Sequence, residues 1–196
     1  MRLTKSRRPY RLQARAAAMD RTRERITRAA IELHGSVGPA ATTMSAVADR
    51  AGVTRATLYR HFANESALFA ACSADWLAAN PRPNLAGWAA VADPALRLRT
   101  ALEELYAYYR STERMRANLL RDIDVLPATI RSGIAAFPTA AVDVLATDWL
   151  ESSGARLRRA VIGHAVGFAT WQSLAGQGLT DPEAAGLMVR LVTSVE

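Results

Sequence analysis

The residues able to do chemistry are concentrated in one short stretch. From Thr43 to Phe62 the chain reads Thr-Met-Ser-Ala-Val-Ala-Asp-Arg-Ala-Gly-Val-Thr-Arg-Ala-Thr-Leu-Tyr-Arg-His-Phe. Its last third carries Arg55, Ala56, Thr57, Tyr59, Arg60 and His61, a set of short, hydroxyl-bearing or basic side chains. Guanidinium, hydroxyl and imidazole groups donate to phosphate oxygens and to base edges in a major groove. They do so only if something holds them on one projecting face. The same stretch supplies the support. Val47, Ala51, Val53 and Leu58 are spaced to pack two short helices at a steep angle, and Ala48 is small where they approach. Gly52 stands at the turn, where a Cβ is strained. Thr43 and Thr54 stand where helix N-caps belong. This is the pattern of a helix-turn-helix.

The surrounding elements read as helices almost throughout. A helix from about Asp20 to Leu33 puts Ile26, Ala29, Ala30 and Leu33 on one face, and Gly35 and Gly38 stop it. The helix-turn-helix follows as Met44 to Ala51 and Thr54 to Phe62. Asn64 caps a further helix, Glu65 to Ala79, with Leu68, Phe69, Cys72 and Trp76 on its apolar side. Asn80-Pro81-Arg82-Pro83-Asn84 is the best linker. Beyond it, helices are expected near 94–110, 113–122, 127–136, 138–150, 155–175 and 182–195. Hairpin signals are missing. The expectation is an all-α chain of about nine helices. Its parts are a disordered basic leader (1–19), a three-helix DNA-binding domain (20–72) and a helical remainder (73–196).

The segment Arg21 to Phe69 resembles the N-terminal domain of the TetR family of bacterial transcriptional repressors. The resemblance is carried by Thr42-Thr43-Met44, the turn Ala51-Gly52-Val53-Thr54, the recognition helix Thr57-Leu58-Tyr59-Arg60-His61-Phe62 and the later Ala67-Leu68-Phe69. It implies a homodimer on a palindromic double-stranded operator, released by a small molecule bound in the C-terminal half. It implies residue roles as well. Thr43 meets a phosphate from a helix N-terminus, and Tyr59 and His61 touch phosphates. Arg55 and Thr57 point at base edges, with Ala56 beside them. Arg60 reads a guanine or meets the backbone. Packing against the first helix is the other reading for Tyr59. Two positions depart from the family pattern. Glu65 stands where a phosphate-binding Lys is common, and His34 where a core Phe is usual.

Charge locates the same end. The formal net charge is +7, from 25 Lys+Arg against 18 Asp+Glu. Residues 1–72 hold 13 basic and 5 acidic side chains, and residues 73–196 hold 12 and 13. Met1 to Ala18 alone contains six basic residues and no acid, so the unit from Met19 to Cys72 carries only +2. The DNA reading therefore rests on the order of the helix-turn-helix rather than on bulk charge. The leader is expected to be a tail or an arm adding phosphate affinity.

Several classes are disfavoured. Cys72 is the single cysteine, which excludes a disulfide scaffold and a cysteine-based zinc site. His34, His61 and His164 share no ligand spacing, and no motif asks for a cofactor. The longest apolar stretch, Ala160 to Ala169, is ten residues long and includes His164, against about 20 for a bilayer span. With no signal segment visible, a cytoplasmic protein without a membrane partner is expected. HExxH, GxSxG and Walker patterns are missing, so a small helical enzyme is a distant alternative.

The second half holds nine of the 13 aromatics. Leu157, Val161, His164, Phe168 and Trp171 fall on one side of a 155–175 helix, read as core. Trp76, Tyr106, Tyr109, Met115, Trp149, His164, Phe168 and Trp171 are the candidate pocket residues, each also a candidate core residue. No cluster of acids or bases stands out among them, which favours an apolar, uncharged effector. Ile162, Val166, Ala169, Leu187, Met188 and Leu191 are the candidate dimer face, as part of a symmetric four-helix interface. An effector-independent regulator, with the aromatic half as a dimer scaffold, is the other reading of this half.

Overall fold

The computed structural model describes residues 7–149 and 154–195. The described residues form ten α-helices and no strand. They are α1 (Arg7–Ser36), α2 (Met44–Ala51), α3 (Arg55–His61), α4 (Glu65–Ala79), α5 (Leu85–Ala89), α6 (Pro94–Arg121), α7 (Ala128–Ala146), α8 (Ala155–Ala165), α9 (Phe168–Gly176) and α10 (Asp181–Thr193). None is long and apolar enough to cross a membrane.

The chain packs as two compact units. One comprises residues up to 79 together with 117–127, and the other 80–116 and 128 onward. The break at Asn80 is where the chain leaves the first unit. That unit is larger than 20–72, because it takes in the rest of α4 and the last turns of α6.

In the first unit, Ile26, Ala29 and Ala30 of α1 meet Met44, Val47, Ala48, Leu58, Phe62, Leu68 and Cys72 in one core. Burying six or more large apolar side chains, at ~1.5–3 kcal/mol each, is the main stabilising term here. The expected caps are formed. Thr43 Oγ1 accepts from Ala46 N (3.1 Å), Thr54 Oγ1 from Thr57 N (3.1 Å) and Asn64 Oδ1 from Ala67 N (2.9 Å). Gly52 ends α2 with φ 63°, a left-handed conformation that favours glycine.

Four helical boundaries differ from the sequence expectation. First, α1 begins at Arg7 rather than near Asp20, so the leader is helical from that point; its residues 1–6 lie outside the described ones. Arg, Gln and Ala are strong helix formers, and that propensity outweighs the charge run that suggested disorder. Second, α6 runs unbroken through Ser111 and Thr112. Their hydroxyls donate to Tyr108 O (2.9 and 2.6 Å), a back-bond that lets both residues sit inside a helix. Third, α7 continues through Pro138.

Fourth, the expected 155–175 helix is two helices, α8 and α9, parted at Val166-Gly167. The break leaves carbonyls without helical partners. Tyr106 donates its hydroxyl to Ala165 O (2.8 Å) and Tyr109 to Val166 O (2.7 Å), so two tyrosines one turn apart on α6 close the gap. Both are buried, and burial raises the Tyr109 hydroxyl pKa to about 12. They are hydrogen-bond donors at any physiological pH.

Candidate nucleic-acid interface

The N-cap hydroxyls of Thr43 and Thr54 start α2 and α3, the tight connection at residues 52–54 joins the two helices, and their buried faces fix their roll. Leu58 of α3 is fully buried and Phe62 nearly so. That leaves Arg55, Ala56, Tyr59 and Arg60 exposed, with Thr57 and His61 half-buried at the margin. Tyr59 is 42% exposed, so its ring is not packed away against α1. The Arg55 guanidinium lies 5.8 Å from the Tyr59 ring centroid. Thr57 Oγ1 accepts from Thr54 Oγ1 (3.0 Å), which leaves its own hydroxyl proton free to donate outward. Thr43 is exposed at the start of α2.

The C-terminal end of α3 is tied to α1. Arg23 Nη1 donates to His61 O (3.1 Å), and the same guanidinium stacks 4.3 Å over Phe62. Partial burial, with Arg60 and Arg23 nearby, holds the His61 imidazole below its ordinary pKa. Glu65 opens α4 and is exposed. A carboxylate suits that helix N-terminus and supplies no phosphate contact.

A polar latch invisible to local sequence patterns fixes the connection between α1 and α2. Asn118, on the last turns of α6, donates Nδ2 to His34 O (2.9 Å) and Gly35 O (3.0 Å). Arg121 donates to Asn118 Oδ1 (3.0 Å) and Val37 O (3.0 Å). It also pairs with Asp122 at 2.8 Å. Asp122 Oδ2 in turn accepts from Ala40 N (3.0 Å). Arg121 and that N–H hold the Asp122 carboxyl below the usual carboxylate range. The carbonyls caught here include the orphan acceptors that end α1. Asn118, Arg121 and Asp122 carry ordinary surface chemistry at ordinary helical spacing, so nothing in sequence marks them.

The candidate pocket residues are only partly brought together. Tyr109, Phe168 and Trp171 form a triangle with ring centroids 5.4–5.9 Å apart, and Tyr106 lies 6.4 Å from Tyr109. With Met115 they are buried. Trp171 Nε1 donates to Asp181 Oδ1 (2.9 Å), which Arg110 also grips. Trp149 is half-buried beneath the Arg158 guanidinium, 5.6 Å away. Trp76 belongs to α4 in the first unit. His164 is exposed, 3.3 Å from Thr170 Oγ1, on an open groove of about 420 Å³ lined also by Gly163, Gly167, Leu174 and Met188.

The candidate dimer residues divide between core and surface. Ile162, Val166 and Met188 are buried within their own unit. Ala169 and Leu191 are exposed and Leu187 is half-buried. The stripe read as core is the one turned outward: Leu157 is 54% exposed, with Val161 half-buried and His164 exposed. The cause is the break at Gly167. Phe168 and Trp171 are inside because they start a new helix, and continuing the 157–164 stripe into them reverses the two faces of α8.

Residues 26–72 match the family model described as bacterial regulatory proteins, tetR family. This segment is a TetR-family helix-turn-helix domain, and the chain is a DNA-binding regulator. A TetR-like transcriptional regulator from Rhodococcus sp. RHA1 shares the fold with a TM-score of 0.61 and 21% identity, over 87% of this chain and 93% of that one. NalD, the secondary repressor of the MexAB-OprM multidrug efflux pump in Pseudomonas aeruginosa, matches with a TM-score of 0.56 and 22% identity. That match covers 90% of this chain and 96% of NalD. At these identities both show that the TetR-family fold extends over nearly the whole chain. No curated protein matches the chain by sequence.

Proposed function

We propose that this TetR-family regulator is a homodimeric repressor that binds a palindromic operator and is released by a small, largely apolar molecule held in the second unit. The observation that carries the reading is the surface of α3. Its Leu58 and the following Phe62 are buried, while Arg55, Ala56, Tyr59 and Arg60 are exposed together. Thr43 and His61 flank them as phosphate contacts. Two such heads are needed to reach successive major grooves, about 34 Å apart. Repression is supported by NalD, itself a repressor. Effector release is a difference in ligand affinity between DNA-competent and DNA-incompetent states.

DNA titrations against variant operators test the contact roles. Changing both Arg55 and Thr57 to Ala should relax discrimination at particular base pairs by about 1–3 kcal/mol. Unchanged sequence preference would remove them as base readers. Tyr59→Phe should weaken every duplex alike, by about 1 kcal/mol for one lost hydrogen bond.

The dimer face proposed here is the outward side of α8 and α10, centred on Leu157, Val161, Leu187 and Leu191. Leu157→Arg combined with Leu191→Arg should halve the mass seen by light scattering at micromolar concentration. A dimeric double variant would place the interface elsewhere. The close packing of Tyr106, Tyr109 and Trp171 favours a second reading, an effector-independent dimer scaffold. A thermal-shift screen against apolar compounds separates the two.

A further inference from the structure

Arginines stacked on aromatic rings recur among the described residues, and they differ in what their edges meet. A ring covers the flat face of a guanidinium. The N–H donors lie in the plane, at the edge, and still require acceptors. Arg23, over Phe62, gives an N–H to His61 O. Arg82, 5.4 Å from the Phe137 centroid, donates to Gly133 O at 3.3 Å. Arg110, 5.4 Å over Trp171, is gripped at two nitrogens by the Asp181 carboxylate, at 2.7 and 2.8 Å. Arg158, over Trp149, donates to the carbonyls of Val192 and Val195. Two stacked arginines have no acceptor among the described residues. Arg55 is one, on the exposed face of α3, where DNA supplies acceptors.

The other is Arg116. Its guanidinium carbon lies 4.8 Å from the Tyr109 centroid, 5.4 Å from Tyr108 and 5.8 Å from Phe168. Its Nε is buried and unpartnered. Asp181, the acid of this aromatic cluster, is already occupied by Arg110 and Trp171. Buried donors are ordinarily satisfied, and buried charges ordinarily paired. Arg116 is half-buried, so part of its edge is reachable by solute. Arg110 shows the completed arrangement on the same helix: ring on the face, carboxylate across the edge. Arg116 has the ring and lacks the carboxylate.

We infer that Arg116 receives the carboxylate of a small organic acid, whose apolar body rests against Tyr108, the half-buried ring at the edge of that cluster. This rests on the second unit being the effector-binding one, and it replaces an uncharged effector with an anionic one. A planar guanidinium fork matches a carboxylate at two atoms, which a neutral amide of the same shape cannot reproduce.

The test titrates the full-length protein calorimetrically with decanoate and 1-naphthoate, with decanamide and 1-naphthamide as uncharged matches, and with inorganic phosphate. At least one acid should bind at least tenfold tighter than its amide, with phosphate alone failing to compete. Arg116→Met should abolish that preference, while Arg116→Lys keeps part of it. Circular dichroism checks that Arg116→Met is folded; if it is not, Arg116→Gln carries the comparison. Equal binding of acid and amide, no saturable binding of either acid, full competition by phosphate, or an acid preference surviving Arg116→Met would overturn the inference. Binding to DNA flanking its own gene is measured in parallel without ligand. Loss of carboxylate preference with DNA binding intact overturns only this inference, whereas a wild-type chain that binds no DNA specifically overturns the regulator reading itself.

Discussion

Gly38→Ala should destabilise the DNA-binding unit by about 1–3 kcal/mol through its backbone alone. Gly38 adopts φ 93° and ψ 163° at the entry to the turn Pro39–Ala41. That region is essentially closed to residues with a side chain. The new Cβ has no room either: it would overlap Arg121 Nη2 and stand 2.5 Å from Asp122 Oδ2. Both atoms end flexible side chains, yet neither can move freely. Arg121 is engaged with Asn118, Val37 and Asp122, and Asp122 with Ala40 N. Accommodating the methyl therefore means opening the latch as well as straining the backbone. Urea unfolding of the full chain measures the loss. Repeating the substitution in an Arg121→Met background separates its two parts, since only the steric part should shrink. A loss below about 0.5 kcal/mol would mean that the turn relaxes without cost, against the usual behaviour of this backbone region. Because the turn leads directly into Thr43, operator affinity should fall with stability.

How much of this was legible in sequence depends on how local the determinant is. The N-caps Thr43, Thr54 and Asn64, the left-handed Gly52 and the buried Leu58 are all set by residues a few positions away. Each is where the sequence pattern puts it, and the exposed face of α3 follows from them. Errors arose where a distant group decides. Sequence alone could not show that Tyr106 and Tyr109 would receive the Ala165 and Val166 carbonyls. So the break at Gly167 went unread, and the core and outer faces of α8 were exchanged. Ile162 and Val166 are core, and Leu157 is surface, for that single reason. The latch on α6 is likewise long-range: Asn118 and Arg121 act on carbonyls more than eighty residues earlier, at His34, Gly35 and Val37. Arg116 was unread because an arginine between two helical turns looks like a solvated one. Its meaning comes from Phe168, on another helix, and from acids that are engaged elsewhere. The leader is the reverse case: its local Ala, Gln and Arg helix propensity outweighs the basic run that suggested disorder.

His34→Phe should remove a pH dependence from the same unit. His34 is buried and stacks on Phe69 with centroids 4.6 Å apart and planes 13° from parallel. Burial lowers its pKa from 6.5 to about 4. The fold therefore favours the neutral imidazole, while the unfolded chain binds a proton near pH 6.5. Stability from this residue is fully present above about pH 6.5 and is lost as pH falls from there toward 4. At about 1.4 kcal/mol per pKa unit, the wild type should lose about 2 kcal/mol from this source by pH 5 and about 3 kcal/mol once pH is below 4. Phe at this position keeps an aromatic ring beside Phe69 and cannot take up a proton. Other groups titrate in the same window, including His61 and the carboxylates. They are common to both proteins, so the difference in unfolding free energy between His34→Phe and wild type isolates His34. That difference should be flat from pH 7 to 8 and grow in favour of the variant as the solution is acidified. A difference that stays constant from pH 8 to pH 5 would show that the imidazole is protonated as readily in the folded chain as in the unfolded one, and that the stack on Phe69 does not exclude the charge.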